Sequence, residues 1–195
     1  AHEGSDSIIS SAGSDTINGG VDATSNDIDV VDYSNQTQKV VLTTQAGTSN
    51  YTVNKTANSA NDSLTNIEEV IGTSYDDTMT GDNQKDVFKS GSGNDELIGN
   101  AGDDSLYGED GDDKLIGGTG NDILDGGDNT SIGDTVDYSL RTDEIKVDLT
   151  NNEAIIDTSN DDTFGAGDEQ DSLLNIENIE ATAGNDTLIG NNSNN

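Results

Sequence analysis

The chain has 195 residues, of which 40 are acidic and 7 basic, for a formal net charge of −33. Such a balance argues against nucleic acid and anionic membrane surfaces as partners, because both are bound through Lys and Arg, and no apolar run approaches a membrane span. With 29% hydrophobic residues and no Trp, Pro or Cys, a disulfide framework is excluded, and two options remain: a disordered polyanion or a chain folded by cations.

Periodicity separates the two. In chain order, residues 1–18 form two nine-residue units, "AHEGSDSII" and "SSAGSDTIN". Residues 19–71 form an elaborated segment with "VDYS" at 31–34, the β-like "KVVLTT" from Lys39, a polar stretch, and "DSLTNIEEVIGT" from Asp62. Six units in phase follow over 72–125: "GTSYDDTMT", "GDNQKDVFK", "SGSGNDELI", "GNAGDDSLY", "GEDGDDKLI" and "GGTGNDILD". A second elaborated segment, 126–180, repeats the order with "VDYS", "IKVDLT" and "DSLLNIENIEAT". Residues 181–195 return to the beat with "ATAGNDTLI" and stop inside a further unit at "GNNSNN". Disordered acidic tracts keep no such register. Repeat arrays need polar caps, and none is evident at either end, so the chain is expected to be part of a longer polypeptide.

Within the six units the sixth position is always Asp (Asp77, Asp86, Asp95, Asp104, Asp113, Asp122) and the eighth always large and apolar (Met79, Phe88, Leu97, Leu106, Leu115, Leu124). "GxxGxD" spells a turn, and the next three residues a short strand. Glycines allow close backbone approach, so several carbonyls can point at one spot and the Asp adds a carboxylate. An all-oxygen cage with several charges suits a hard cation and favours Ca²⁺ over Mg²⁺; zinc or copper would want His or Cys, and His2, an ordinary terminal residue, is the only one of either. If two units make one coil, Asp77, Asp95 and Asp113 stack on one side and Asp86, Asp104 and Asp122 on the other, an ion between successive turns being shared by two Asp. The apolar positions become two ladders inside. One buried leucine per unit does not offset the entropy of ordering nine residues, so the cation is expected to supply folding free energy.

The pattern, closest in "GGTGNDILD", "SGSGNDELI" and "ATAGNDTLI", resembles the RTX, or haemolysin-type, calcium-binding nonapeptide repeat. That resemblance implies an all-β fold, a right-handed parallel β-roll (a β-helix-like solenoid) with two elaborated β segments. It further implies several Ca²⁺ ions between turns, and export by type I secretion to an extracellular, bacterial setting. It also implies ligands from the carbonyls of positions one, three and five and from the Asp of position six. On one side these are Gly99, Ala101, Asp103 and Asp104 against Gly117, Thr119, Asn121 and Asp122. On the other they are Ser90, Ser92, Asn94 and Asp95 against Gly108, Asp110, Asp112 and Asp113. Asp77 and Asp86 rank second, since Tyr75 and Gln84 stand at the glycine position. Asp6, Asp15, Asp134 and Asp186 hold the same register, with Asp29 a looser counterpart to Asp134. Tyr33 and Tyr138 are expected to pack. With no Cys, a single His and no H-E-x-x-H motif, enzymatic activity is not expected. Positions three (Ser74, Asn83, Ser92, Ala101, Asp110, Thr119) form no ice-binding ladder. Two alternative roles remain: a polysaccharide-binding or adhesive module contacting its ligand through the elaborated segments, or the non-catalytic repeat module of a secreted enzyme such as an alginate epimerase or a protease.

Overall fold

A unit with one large inward residue in every nine favours short strands, and strands of three to six residues form. The structure, a computed structural model, describes residues 4–20, 28–44, 50–55, 60–158, 164 and 167–191. Among them no helix occurs; the strands are β1 (Ser7–Ile9), β2 (Thr16–Asn18), β3 (Val30–Asp32), β4 (Val40–Thr44), β5 (Asn50–Lys55), β6 (Ala60–Thr65), β7 (Glu69–Ile71), β8 (Thr78–Thr80), β9 (Val87–Lys89), β10 (Glu96–Ala101), β11 (Ser105–Tyr107), β12 (Lys114–Thr119), β13 (Ile123–Asp125), β14 (Thr135–Asp137), β15 (Ile145–Asp148), β16 (Glu153–Ile156), β17 (Glu169–Leu174), β18 (Asn178–Glu180) and β19 (Thr187–Ile189). They form two sheets, in the order β1-β3-β7-β9-β11-β13-β17-β16-β15-β19 and β18-β14-β12-β10-β8-β4-β5-β6-β2.

From β7 to β14 the chain alternates between the sheets at every unit. Neighbours in each sheet are parallel and lie 18 residues apart in sequence over the nonapeptides, so two units do make one coil. Leu106 pairs with Phe88 on one side and Leu124 on the other; Leu97 pairs likewise with Met79 and Leu115. Register therefore sets every apolar position eight on another. All six side chains are buried, in one core with Val31, Val70, Leu42, Val136 and Leu173. The expected parallel β-roll and its two apolar ladders are borne out.

The elaborated segments interrupt this alternation. In the first, β4, β5 and β6 form an antiparallel meander that is parallel to β8 at one edge and to β2 at the other. The second repeats the device with β15, β16 and β17, parallel to β19 and β13. The stretch after "KVVLTT", which looks merely polar in sequence, holds a full strand, β5. Its alternation (Tyr51, Val53 and Lys55 inward) is hidden because one inward residue is a lysine and its outward neighbours are Thr52 and Asn54. Between β2 and β13, which open the two segments, the chain crosses between sheets an odd number of times, so the first meander lies in one sheet and the second in the other. His2 and residues 192–195 lie outside the described residues.

Truncating Leu106, fully buried at the centre of its ladder, to Ala should cost about 2–5 kcal/mol. Ile132→Ala, at a position 75% exposed, should change stability by less than about 0.5 kcal/mol. Denaturant unfolding in excess calcium compares the two.

Candidate metal centre

The turns between strands stack as regularly as the strands. In the four units from Ser90 to Asp125 the Asp at position six turns its carboxylate inward, and its Oδ1 accepts a hydrogen bond from the backbone N–H of the corresponding Asp one coil earlier, whereas Asp77 Oδ1 accepts from Val40 N–H and Asp86 Oδ1 from the Tyr51 hydroxyl. Asp77 N–H donates to Asp95 at 2.6 Å, Asp95 to Asp113 at 2.7 Å, and Asp113 to Asp134 at 2.7 Å. On the opposite side Asp86 donates to Asp104 at 2.7 Å, Asp104 to Asp122 at 2.9 Å, and Asp122 to Asp171 at 2.9 Å. The two expected rows of Asp are therefore brought together, at opposite sides of the roll. Asp6 and Asp15 enter by the same bond, to Asp29 and Asp62, and Asp186 accepts from Ile145.

The other oxygen decides what the rows can do. Oδ2 of Asp95, Asp104, Asp113, Asp122 and Asp134 is buried and has no hydrogen-bond partner among the described residues. A buried acceptor so left is costly, and a buried charge more so. These oxygens also share a neighbour. A methyl group added at Gly99 would run into Asp104 Oδ2 and the carbonyl of Gly117; at Gly108 it would meet Asp113 Oδ2 and the carbonyl of Gly126; at Gly126, Asp134 Oδ2 and the carbonyl of Asn175. Between successive turns a bare carboxylate oxygen and a position-one carbonyl thus converge on a space kept open by glycine. Ser90 holds that place in its unit and donates its hydroxyl to the Gly108 carbonyl at 2.8 Å.

Position two explains which Asp are bare. Gly91, Asn100, Glu109 and Gly118 all have left-handed φ, between 69° and 111°. Thr73 and Asp82 do not, and their N–H groups reach back to Asp77 Oδ2 at 2.6 Å and Asp86 Oδ2 at 2.9 Å. The first two units, which also lack the position-four glycine at Tyr75 and Gln84, therefore close on their own carboxylates. Asp186 is similarly engaged, by the Thr182 hydroxyl.

The remaining expected positions are used differently. The carbonyls of Asp110 and Thr119, at position three, accept from Gly93 and Gly102 N–H at 2.9 Å. Ser92 pairs across to Asp110, and Ala101 N–H donates to the Asp82 carbonyl. At position five the side chains build a second ladder outside the first: Asp76 accepts from Asn94, Asn94 from Asp112, and Asp103 from Asn121. Asp112 then gathers the N–H groups of Thr130, Ser131, Ile132 and Gly133, which holds its carboxyl well below the ordinary range, Ser131 N–H foremost. Among the described residues no three His, Cys, Asp or Glu side chains gather at one point. A cation here would take one or two carboxylates and complete its shell from backbone carbonyls, as a hard ion does.

Several functional residues carry no nonapeptide signal. Asp62 and Asp171, first in each "DSLxNIE", stand in the Asp rows, but their Oδ2 accepts from the hydroxyls of Tyr33 (3.0 Å) and Tyr138 (2.7 Å). The tyrosines are thus more than packing. Glu68 and Glu177 of the same motif accept the N–H of Asp29 and Asp134, where a further coil would have put an Asp. The recurrence of the motif in both segments was the available clue.

Burial raises the carboxyls of the rows from their ordinary 3.8: Asp77, Asp86, Asp122 and Asp134 to about 6, Asp104, Asp113 and Asp171 to about 7, and Asp95 in the same direction. Charge closely spaced on one axis and cut off from water is what this geometry creates; a bound cation is what it lacks the side chains to replace.

A parallel roll with stacked, cation-ready turns defines the class. The model of the RTX calcium-binding nonapeptide repeat (4 copies) matches residues 1–23, 63–97, 90–124, 98–132 and 175–195, more than half of the chain. The chain belongs to this family of calcium-binding repeats. No curated protein matches it.

In chelator, folded carboxyls titrating near 6–7 bind protons that the unfolded chain, near 3.8, has released. Stability from this source is therefore fully present below pH 3.8 and lost as pH rises through 6–7. The metal-free chain should gain β signal in circular dichroism on acidification from pH 7.5 to 5, whereas calcium affinity, which needs the carboxylates free, should fall over the same interval.

Proposed function

We propose that the chain is a calcium-binding β-roll that folds on taking up several Ca²⁺ ions and serves, outside the bacterial cell, as a rigid structural unit without catalytic activity. The observation that carries this is the set of bare, buried Oδ2 atoms, three of which lie beside a carbonyl of the next turn. Asp104 with Gly117, Asp113 with Gly126 and Asp134 with Asn175 are the strongest pairs; Asp95 and Asp122 carry the same bare oxygen. Carbonyls of Ala101, Asp103, Asp112 and Asn121 are proposed to complete the shells, while those of Asp110 and Thr119 are already engaged by Gly93 and Gly102 N–H. Bound there, the ion cancels charge that the turns cannot. Extracellular calcium modules bind at about 10⁻⁴ to 10⁻³ M, so the rows would stay empty in a cytoplasm and fill after export, which supports secretion.

A second role is favoured by one feature. An open groove of about 650 Å³ along the outer face is lined by Lys89, Tyr107, Glu109, Asp110 and Asp125. A ring beside hydrogen-bonding groups suits a polysaccharide, and this groove lies chiefly on the nonapeptides rather than on the elaborated segments. Loss of binding in a glycan screen on Tyr107→Ala would support it.

Circular dichroism with and without Ca²⁺ tests the main reading: the β spectrum should collapse in excess chelator at pH 7.5 and return with calcium, and a spectrum indifferent to chelator would sink it. Asp104→Ala should lose one bound ion and about 1.5–3 kcal/mol for its charged hydrogen bond alone. Asp82→Ala, outside the rows, should keep the ion count by calorimetric titration.

A further inference from the structure

Lys55, at the end of β5, is 5% exposed, although lysine is almost never fully buried unless paired. Its ammonium lies 2.7 Å from Asp62 Oδ1 and 3.7 Å from Asp15 Oδ2. It donates to the Ser11 carbonyl at 2.8 Å and to the Gly13 carbonyl, and reaches the Ser10 hydroxyl at 3.3 Å. The cage is all oxygen: two carboxylates, two carbonyls and a hydroxyl. It is drawn from the turn of unit 10–18 and from the Asp62 that stacks on it, so it occupies the step between turns at which the rows elsewhere leave an oxygen bare.

The state of Asp62 agrees. Its Oδ1 is shared by Asp15 N–H and Lys55, and its Oδ2 accepts from Ser10 at 2.9 Å and Tyr33 at 3.0 Å. Nothing is left for another cation. In the second segment the residue paired opposite Ile145 is Ile156, where the first pairs Val40 with Lys55, so no ammonium enters from that strand. There Arg141 instead donates to the Gly118 carbonyl, the counterpart of Ser11, and pairs with Glu169 at 2.6 Å, while Asp122 Oδ2 stays bare. The segments thus differ in whether an ammonium stands between the two row carboxylates at this step.

We propose that Lys55 is a built-in counter-ion: its ammonium holds the cation position between unit 10–18 and β6, so that this step of the roll closes without calcium while the bare steps require it. The proposal rests on the calcium reading of the rows. Removing the side chain leaves Asp15, Asp62, Ser11 and Gly13 as a cage of the same donor chemistry, open to a divalent ion.

Native mass spectrometry of the full chain in excess calcium provides the test. Lys55→Ala should carry one more Ca²⁺ than the wild type. An unchanged count in a variant with the wild-type β spectrum would overturn the proposal. A wild-type chain that carries no calcium at all would overturn the calcium reading instead. If Lys55→Ala does not fold, amide exchange of the wild type decides. As free calcium is lowered, the Asp15 N–H, bonded to Asp62, should stay protected after the Asp104 N–H, bonded to Asp122, has lost protection. Loss of both together, or of Asp15 first, would refute the built-in counter-ion.

Discussion

In the regular turns, at Asp95, Asp104, Asp113, Asp122 and Asp134, half of each stacked carboxylate is bare, and the rest of the molecule is arranged around that asymmetry. One oxygen of Asp104 takes the N–H of Asp86, 18 residues earlier, which fixes the rise and register of the coil. The other oxygen has no partner among the described residues. A carboxylate that made both bonds would need no ion; one that made neither would not hold the turns in register. The left-handed residue at position two is what withholds the second bond, and where it is absent, at Thr73 and Asp82, the turn seals itself. Turn glycines, row spacing and core ladders are consequences of keeping one oxygen aligned and one available.

A stack of this kind also has to end. Every coil leaves an Asp N–H for the next to bond, and the elaborated segments supply the last acceptors. Asp62 and Asp171 take the N–H of Asp15 and Asp122, and Glu68 and Glu177 take those of Asp29 and Asp134. The hydroxyls of Tyr33 and Tyr138 then satisfy the oxygen that a regular turn would leave open. The "DSLxNIE" motif is thus a terminator written in the same carboxylate chemistry as the repeat, and the meander before it carries the chain back to where termination is needed.

Much of this was legible in the sequence for a simple reason: a nine-residue beat projects directly onto an 18-residue coil, so the ladders from Met79 to Leu124 and the Asp rows follow by counting. That the first two units depart from the others could be seen too, in Tyr75 and Gln84. What counting could not supply was β5, whose inward pattern includes Lys55, or the partners of Asp62 and Asp171. Those depend on antiparallel pairing across tens of residues and on hydroxyls brought in from another strand. Nor could it apportion the two oxygens of one carboxylate, which is a matter of backbone φ at Asn100 and Glu109; asparagine tolerates a left-handed turn, but glutamate does not advertise one.

The two meanders occupy opposite sheets because an odd number of crossings separates them. Parity therefore governs decoration. Insertion of one nonapeptide between them would swing the second meander to the side of the first, whereas insertion of two would move it further along the axis without turning it. Gain or loss of repeats, the commonest change open to a repetitive gene, would thus act on this roll as a half-turn dial as well as a ruler, setting which way its broadened segments face as well as how far apart they stand.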